Sequence, residues 1–344
     1  MAVDRAGMNA DGPARMLRLL LLALVAVGLA PGTFVRTPVG LRSDVATVSI
    51  TPVADTRGTA GALRLTGVWE LRSRHGWFGG FSALVAGNRG SALAASDRGW
   101  LLDLDLSGDR PRAVPGSFRP VNNRSRGRKE VVDLESLARD PATGTVWGAF
   151  ENDNLITRFT IDGTRRTRAP AEMARWSINS GPETFTRLGD GRFLIIAEGT
   201  MAGSVTAHDA LLFARDPVEA GKPLRFRFIA PEGFDPVDAT ALPDGRVMIL
   251  LRRYALAIPP PFDTAIAIAD PRAIRAGANW RVRVIQRLTG GALADNFEGL
   301  AYAASPQDPA RGSLWLISDN NFSIFQRSLL VRFDWDADTV AMGR

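Results

Sequence analysis

The feature that most constrains this chain is a unit of roughly fifty residues that recurs five times along the 344-residue sequence. Each copy opens on a Ser, Glu or Asp, runs through a short apolar strand to a turn, and returns through a second apolar strand to a charged residue. The openings are Ser82, Glu135, Glu183, Asp238 and Glu298, and the closing residues are Asp97, Glu151, Glu198, Arg252 and Asp319. The turns Thr143-Gly144, Asp190-Gly191 and Asp244-Gly245 are hairpin signals, because a positive φ costs little there only for Gly, Asn or Asp. More extended runs follow the hairpins, at 100–106, 155–161, 211–214, 224–229 and 280–288.

Three or four strands per unit is the arithmetic of a β-propeller blade. A tandem array of sandwich domains would need about 100 residues for each member. The expected fold is therefore all-β, a single propeller with five blades counted; a sixth fits only if 200–235 or 252–296 holds a degenerate one. The last unit stops one strand short after 329–335, while the run 63–72 precedes the first unit. The N-terminal strand is thus expected to complete the last blade and close the ring.

Ahead of the repeats, Arg15 and Arg18 precede an unbroken apolar run, 19–30, followed by Pro31-Gly32. That run is short for a bilayer span and suits a secretory signal peptide with cleavage after Ala30. The expected division is a signal peptide over 1–30, a lead-in over 31–59 and the propeller over 60–344. An exported, periplasmic or secreted monomer with no stable transmembrane span after cleavage is expected, and an uncleaved anchor is the alternative.

Composition narrows the chemistry. There is no cysteine, and His75 and His208 are the only histidines, so thiolate zinc sites, cysteine nucleophiles and most imidazole chemistry are excluded. The two histidines lie outside the repeat positions and are expected to be structural or surface residues. The formal charge is +6, but the basic residues are scattered arginines, with Lys129 and Lys222 the only lysines, and no nucleic-acid-binding motif accompanies them. The basic stretch 122–129 could steer an anionic substrate, or it could be a solvated loop. No G-x-S-x-G elbow, P-loop or H-E-x-x-H is present.

An antiparallel hairpin returns the chain to the edge it left, so opening and closing acids share one rim of each blade. The first strand of a blade normally lines the central channel. Glu135, Glu183, Asp238 and Glu298, with Ser82 as the fifth, are expected around the axis at one depth, with Asp97, Glu151, Glu198 and Asp319 behind them. So many carboxylates need a cation, raised pKa values or arginine partners. Hard oxygen ligands favour Ca²⁺ over zinc. Pairing with Arg98, Arg252 and Arg253 as a structural ring is the competing account.

Several clusters occur in order that resemble the bacterial phytase-like family: Phe78-Gly79-Gly80-Phe81-Ser82 with Ser96-Asp97-Arg98-Gly99, Asp133-Leu134-Glu135-Ser136-Leu137, Asn179-Ser180-Gly181-Pro182-Glu183, Asn296-Phe297-Glu298-Gly299-Leu300 and Ser318-Asp319-Asn320-Asn321-Phe322. The resemblance runs from about residue 60 to the C-terminus. It implies an exported propeller hydrolase of phosphate or carboxylic esters, phosphate first, and similarity to Ca²⁺-dependent propeller phytases adds weight to a metal. In the funnel read above, Glu135, Glu183, Glu298 and Asp319 are the expected ligands and catalytic groups, Asp97 and Glu198 further ligands, and Arg98 and Arg253 stabilisers of an anionic transition state. The fourth unit departs from the pattern, with Leu251 where an acid is common before the arginine pair. A calcium-dependent lactonase and a non-catalytic binding scaffold are the alternative functions.

Overall fold

The computed structural model describes residues 12–29, 45–54, 59–121, 133–160, 164–254, 262–305, 308, 310–338 and 340. Five sheets form a ring, a five-bladed β-propeller, with every pairing antiparallel except Leu224–Ile229 against Asn279–Arg281 at the edge of the third blade. The innermost strands, in blade order, are Phe81–Ala86, Leu134–Arg139, Thr184–Arg187, Asp235–Ala241 and Phe297–Ala304, and each packs against the next around the axis. No sixth blade exists among the described residues. The span 252–296 instead holds the outer strands of the fourth blade, Phe262–Ala269 and Arg283–Leu288.

The ring closes as the strand count requires. Arg64–Ser73 pairs with the C-terminal strand Ser328–Asp336 and supplies the fourth strand of the fifth blade. A second early strand, Val48–Pro52, lies inside the expected lead-in and pairs with Arg64–Ser73 as a fifth strand. Thr59–Gly61 adds to the edge of the fourth blade. Both ends of the chain are thereby woven into the ring.

Second strands read as unbroken apolar runs because neighbouring blades cover both faces of a sheet. Phe193 to Ala197 and Val247 to Leu251 are all buried, at 3% exposure or less. The hairpin turns follow from local chemistry. In Leu188-Gly189-Asp190-Gly191 and Leu242-Pro243-Asp244-Gly245, the final Gly sits at φ +88 and +86 and donates to the carbonyl of the first residue. This is a type I turn closed by a left-handed residue, the three-residue hairpin loop.

Helix Gly12–Leu29 carries the predicted apolar run, with Leu19 to Leu22 and Leu24 exposed. No helix among the described residues is long and apolar enough to cross a membrane. The expected cleavage point after Ala30 and the basic stretch 122–129 lie outside the described residues.

Candidate functional site, an acidic mouth

Each blade contributes three equivalent positions to the rim where its hairpin opens and closes. At or just before the start of the inner strand stand Gly80, Asp133, Gly181, Asp235 and Asn296. Their backbones meet the closing residues Asp97, Glu151, Glu198, Arg252 and Asp319; in four blades the closing N–H donates to the preceding carbonyl at 2.8–3.0 Å, and in the fourth Asp235 is the ladder partner of Arg252. Between them the inner strand carries one extra residue. Register slips after Phe81, Leu134, Pro236 and Phe297 leave Ser82, Glu135, Val237 and Glu298 unpaired as bulges, and the pairing of Thr184 with Ile196 puts Glu183 in the same place. A bulge re-aims a side chain that strict alternation would send elsewhere.

This register corrects the expected ring in the fourth blade. Asp238 is one residue past the bulge, buried at 1% exposure, where it accepts from the N–H of Leu300 at 2.6 Å and of Ala239 at 2.8 Å. It ties the fourth blade to the fifth and is no rim acid; Asp235 is the acid that blade supplies. Leu251 is likewise no missing ligand, since it lies in the core at 0% exposure and Arg252 holds the closing position.

Of the fifteen rim positions, nine are acidic and only Arg252 is basic. Two trios bring carboxylate oxygens within 4.8 Å of one another: Asp133, Glu135 and Glu151, and Glu151, Glu183 and Glu198. Glu151 belongs to both. Arg252 occupies the other side, bonded to Glu198 at 2.6 Å and to Glu298, with Glu183 at 3.9 Å. Asn296 joins this group, accepting from Arg252 at 2.9 Å and donating to Glu298 at 2.9 Å. Arg252 thus pairs one side of the mouth, and on the other Asp133, Glu135 and Glu151 form a group that could hold a metal ion.

The remaining expected site residues separate. Asp97 and Asp319 are buried at the seam between the first and last blades, outside both trios. Asp319 accepts from the Asn321 N–H at 2.6 Å, and Asp97 lies against Gly80, whose φ of +66 and missing side chain leave it room. The Arg98 guanidinium stacks on Phe322, 3.5 Å from the ring centroid. Arg253 does not reach the acids: strand alternation turns it away from Arg252, onto Asp263 and over the Phe234 ring. Arg252, not Arg253, is therefore the member of the arginine pair that meets the rim acids. His208 is fully buried with Nδ1 2.7 Å from the Glu198 carbonyl oxygen, and His75 packs against Trp100 and Phe118, so both are structural.

The chemistry of the donor set suits a hard cation. It is all oxygen, with no thiolate and no imidazole in either trio. Asn154, buried at 7% exposure, has its side-chain Oδ1 without a hydrogen-bond partner. A side chain at Gly181 would come within 2.6 Å of that oxygen and 3.0 Å of the Glu151 Cγ. Gly181 instead donates its N–H to Glu151 at 2.8 Å, so its bare backbone keeps the cradle open.

Burial dominates the electrostatics. It pushes Glu183 well above the usual carboxylate range, with the Glu198 charge adding and Arg252 opposing. Burial would lower Arg252, but Glu298, Glu198 and Glu183 together outweigh it and hold the guanidinium charged. Asp235 rises to about 6 through burial and Glu198, against Arg252. Asp295 also rises to about 6 through burial, opposed by the Asn296 N–H and Arg327, with Glu70 adding to the rise.

Two folded-state values above the ordinary 3.8 mean that the folded protein binds these protons more tightly than the unfolded chain. Their contribution to stability is complete below about pH 4 and is lost as pH rises through 6. Asp105 and Asp270, held low by Ser107 and Arg272, act only below this window. The melting temperature without added cation is expected to rise by a few degrees from pH 7.5 to pH 5, and Asp235→Asn with Asp295→Asn to flatten that slope. An unchanged slope in the double variant would contradict the assignment.

A cavity of about 1010 Å³ opens on the opposite rim between the first and last blades, lined by Arg64, Asp334 and Trp335 among others. Neither acid trio lies there.

A family model described as phytase-like, esterase-like activity of phytase, matches residues 76–322. No curated protein matches the chain. Solved structures give distant likenesses. A gluconolactonase from Xanthomonas campestris has 9% identity and a TM-score of 0.42, over 83% of this chain and 97% of that one. A putative gluconolactonase has 12% identity and a TM-score of 0.41, over 84% and 94%. A virginiamycin B lyase from Staphylococcus aureus has 11% identity and a TM-score of 0.35, over 73% of this chain; the chain spans only 64% of that protein's length.

Proposed function

The chain belongs to the phytase-like family, described by the esterase-like activity of phytase, and from that premise we propose that its acidic mouth hydrolyses an ester with the help of a bound divalent cation. The observation that carries the reading is Glu151, shared by two carboxylate trios at the open end of the ring.

Hydrolysis adds the oxygen of water to the acyl or phosphoryl centre, breaks the bond to the alkoxide, removes a proton from the water and delivers one to the leaving group. Glu183, held above the usual carboxylate range by burial and by Glu198, is the carboxyl of the mouth we assign to proton exchange with the water or the leaving group. Arg252 orients Glu198 and Glu298 beside it. Asp133, Glu135 and Glu151 would hold the cation, with Glu183 and Glu198 adjoining, and a hard ion such as Ca²⁺ supplies Lewis-acid polarisation of an ester oxygen. Cyclic esters fall under the same chemistry, which keeps a lactone among the substrates to test.

Export to the periplasm or beyond is part of the proposal, supported by basic residues ahead of the apolar run in Gly12–Leu29. The partner is a small ester, and the working unit is a monomer.

Glu151→Gln tests this directly. It is expected to lower ester hydrolysis at least about 100-fold and to abolish a Ca²⁺-dependent rise in melting temperature. EDTA should reproduce both losses in the parent protein. If Ca²⁺ moves neither melting nor turnover, the metal reading fails; Ca²⁺-dependent melting with no turnover of any phosphate, carboxylic ester or lactone leaves a metal-stabilised scaffold.

A further inference from the structure

In the fifth blade Trp315, Arg332 and Gly67 are ladder partners across three neighbouring strands. Gly67 has no side chain, so the Trp69 ring folds over that position and meets Trp315, with ring centroids 5.6 Å apart. The guanidinium carbon of Arg332 lies against both indoles, 5.7 Å from the Trp315 centroid and 6.0 Å from that of Trp69. Such stacking orients the planar fork. Its Nε donates to Thr66 Oγ1 at 2.9 Å, and no carboxylate among the described residues pairs with it.

Arg332 and Trp315 both line the cavity of about 1010 Å³ on the rim opposite the acids. Trp315 is buried at 1% exposure, and its indole N–H has no hydrogen-bond partner. Buried donors are nearly always satisfied, so an orphan on a cavity wall marks the place of a water or a ligand oxygen. The other charged residues of the wall are paired or exposed. Arg64 bonds Asp334 and Arg311 meets Asp336 at 3.3 Å, while Arg89 and Asp109 stand in water. Leu63, Leu106, Trp335 and Val340 make an apolar part of the wall, each at 6% exposure or less. A volume of this size suits a small molecule.

We infer that this cavity is a second ligand site, taking a singly charged carboxylate with an apolar or aromatic body whose oxygens meet Arg332 and the Trp315 N–H. One guanidinium without a carboxylate partner matches one negative charge, and its fork matches the two oxygens of a carboxylate. The wall is drawn from the closing strands Arg64–Ser73 and Ser328–Asp336 and from the first blade, so the ligand bridges the seam where the ring closes. The site is independent of the proposed hydrolysis at the opposite rim.

The test is calorimetric titration of the full chain at neutral pH with hexanoate and 3-phenylpropanoate, beside their neutral amides and phenyl phosphate. EDTA is present throughout, so that no cation in the acidic mouth recruits the probes. The carboxylates are expected to bind at least about tenfold more tightly than the amides, since only they form charge-assisted hydrogen bonds. Saturation should raise the melting temperature by a few degrees, because the ligand binds only the closed ring. Arg332→Gln should weaken carboxylate binding at least about tenfold and leave the amides nearly unchanged, and Arg332→Lys should recover only part.

A second variant leaves the arginine and its indoles in place. Gly108 lines the cavity, and a side chain added there meets nothing closer than 3.8 Å, so Gly108→Trp should block acids and amides alike with parental melting. Carboxylate binding should survive Glu151→Gln, which places it away from the acidic mouth. Equal binding of acid and amide, tighter binding of phenyl phosphate than of 3-phenylpropanoate, or binding that both cavity variants leave untouched overturns the inference. So does loss of binding in Glu151→Gln, or no binding of either carboxylate at millimolar concentration.

Discussion

Arg252→Met is expected to lower stability at pH 7 by about 3–5 kcal/mol, the range for removing one partner of a buried ionic group. Glu183, Glu198 and Glu298 would lose the guanidinium they share. For a domain of this size the loss corresponds to a fall in melting temperature of roughly 10 °C. Two conditions should restore most of it. Acidification removes the uncompensated charge, and millimolar Ca²⁺ supplies a new counter-charge to the trio that contains Glu183 and Glu198. Arg252→Lys should recover only part, because one ammonium cannot reproduce the fork that reaches Glu198 through one nitrogen and Glu298 through the other. A variant with parental melting at every pH would mean that the acids do not depend on this arginine.

Asp238→Ala is expected to be nearly as costly for a different reason. The carboxyl is buried, and it accepts from two backbone N–H groups, that of Leu300 on the neighbouring blade and that of Ala239 on its own. Alanine leaves both donors without an acceptor, at about 1–3 kcal/mol each. Asp238→Asn should recover only part of that loss, because the two N–H groups bond to different carboxylate oxygens and an amide keeps one acceptor while turning its NH2 toward the other donor. Chemical denaturation of the two variants beside the parent separates them. Equal losses would show that the charge, and not the acceptor, is what the blade junction uses.

Asp238 also shows where periodic reading stopped. The repeat placed an acid at the opening of the fourth unit, and the spacing from Asp238 to the turn at Asp244-Gly245 resembled its counterparts. The pairing of Pro236 with Leu251 and of Asp238 with Leu250 reveals that Val237 is the bulge. Aligning Pro236 with Pro182 would have given the same answer from sequence and would have pointed to Asp235. Asp133 was visible beside Glu135, but its role depends on the carbonyl that accepts from Glu151. Arg252 and Arg253 were indistinguishable as neighbours in sequence. Alternation along Val247–Tyr254 sends the first to Glu198 and Glu298 and the second to Asp263.

The sequence by itself determined the all-β class, the five blades, the closure by the N-terminal strand and the rim that collects the acids. These depend on strand periodicity, on turns that require Gly, and on the return of a hairpin to its starting edge, all of which act over a few residues. Tertiary structure decided which acids meet. Glu135 and Glu151 share a trio with Asp133, Glu183 and Glu198 share one with Glu151, and Glu298 is held by Arg252. Those choices turn on single-residue bulges and on distances between blades, and a one-residue slip reverses the side of a strand on which a charge appears.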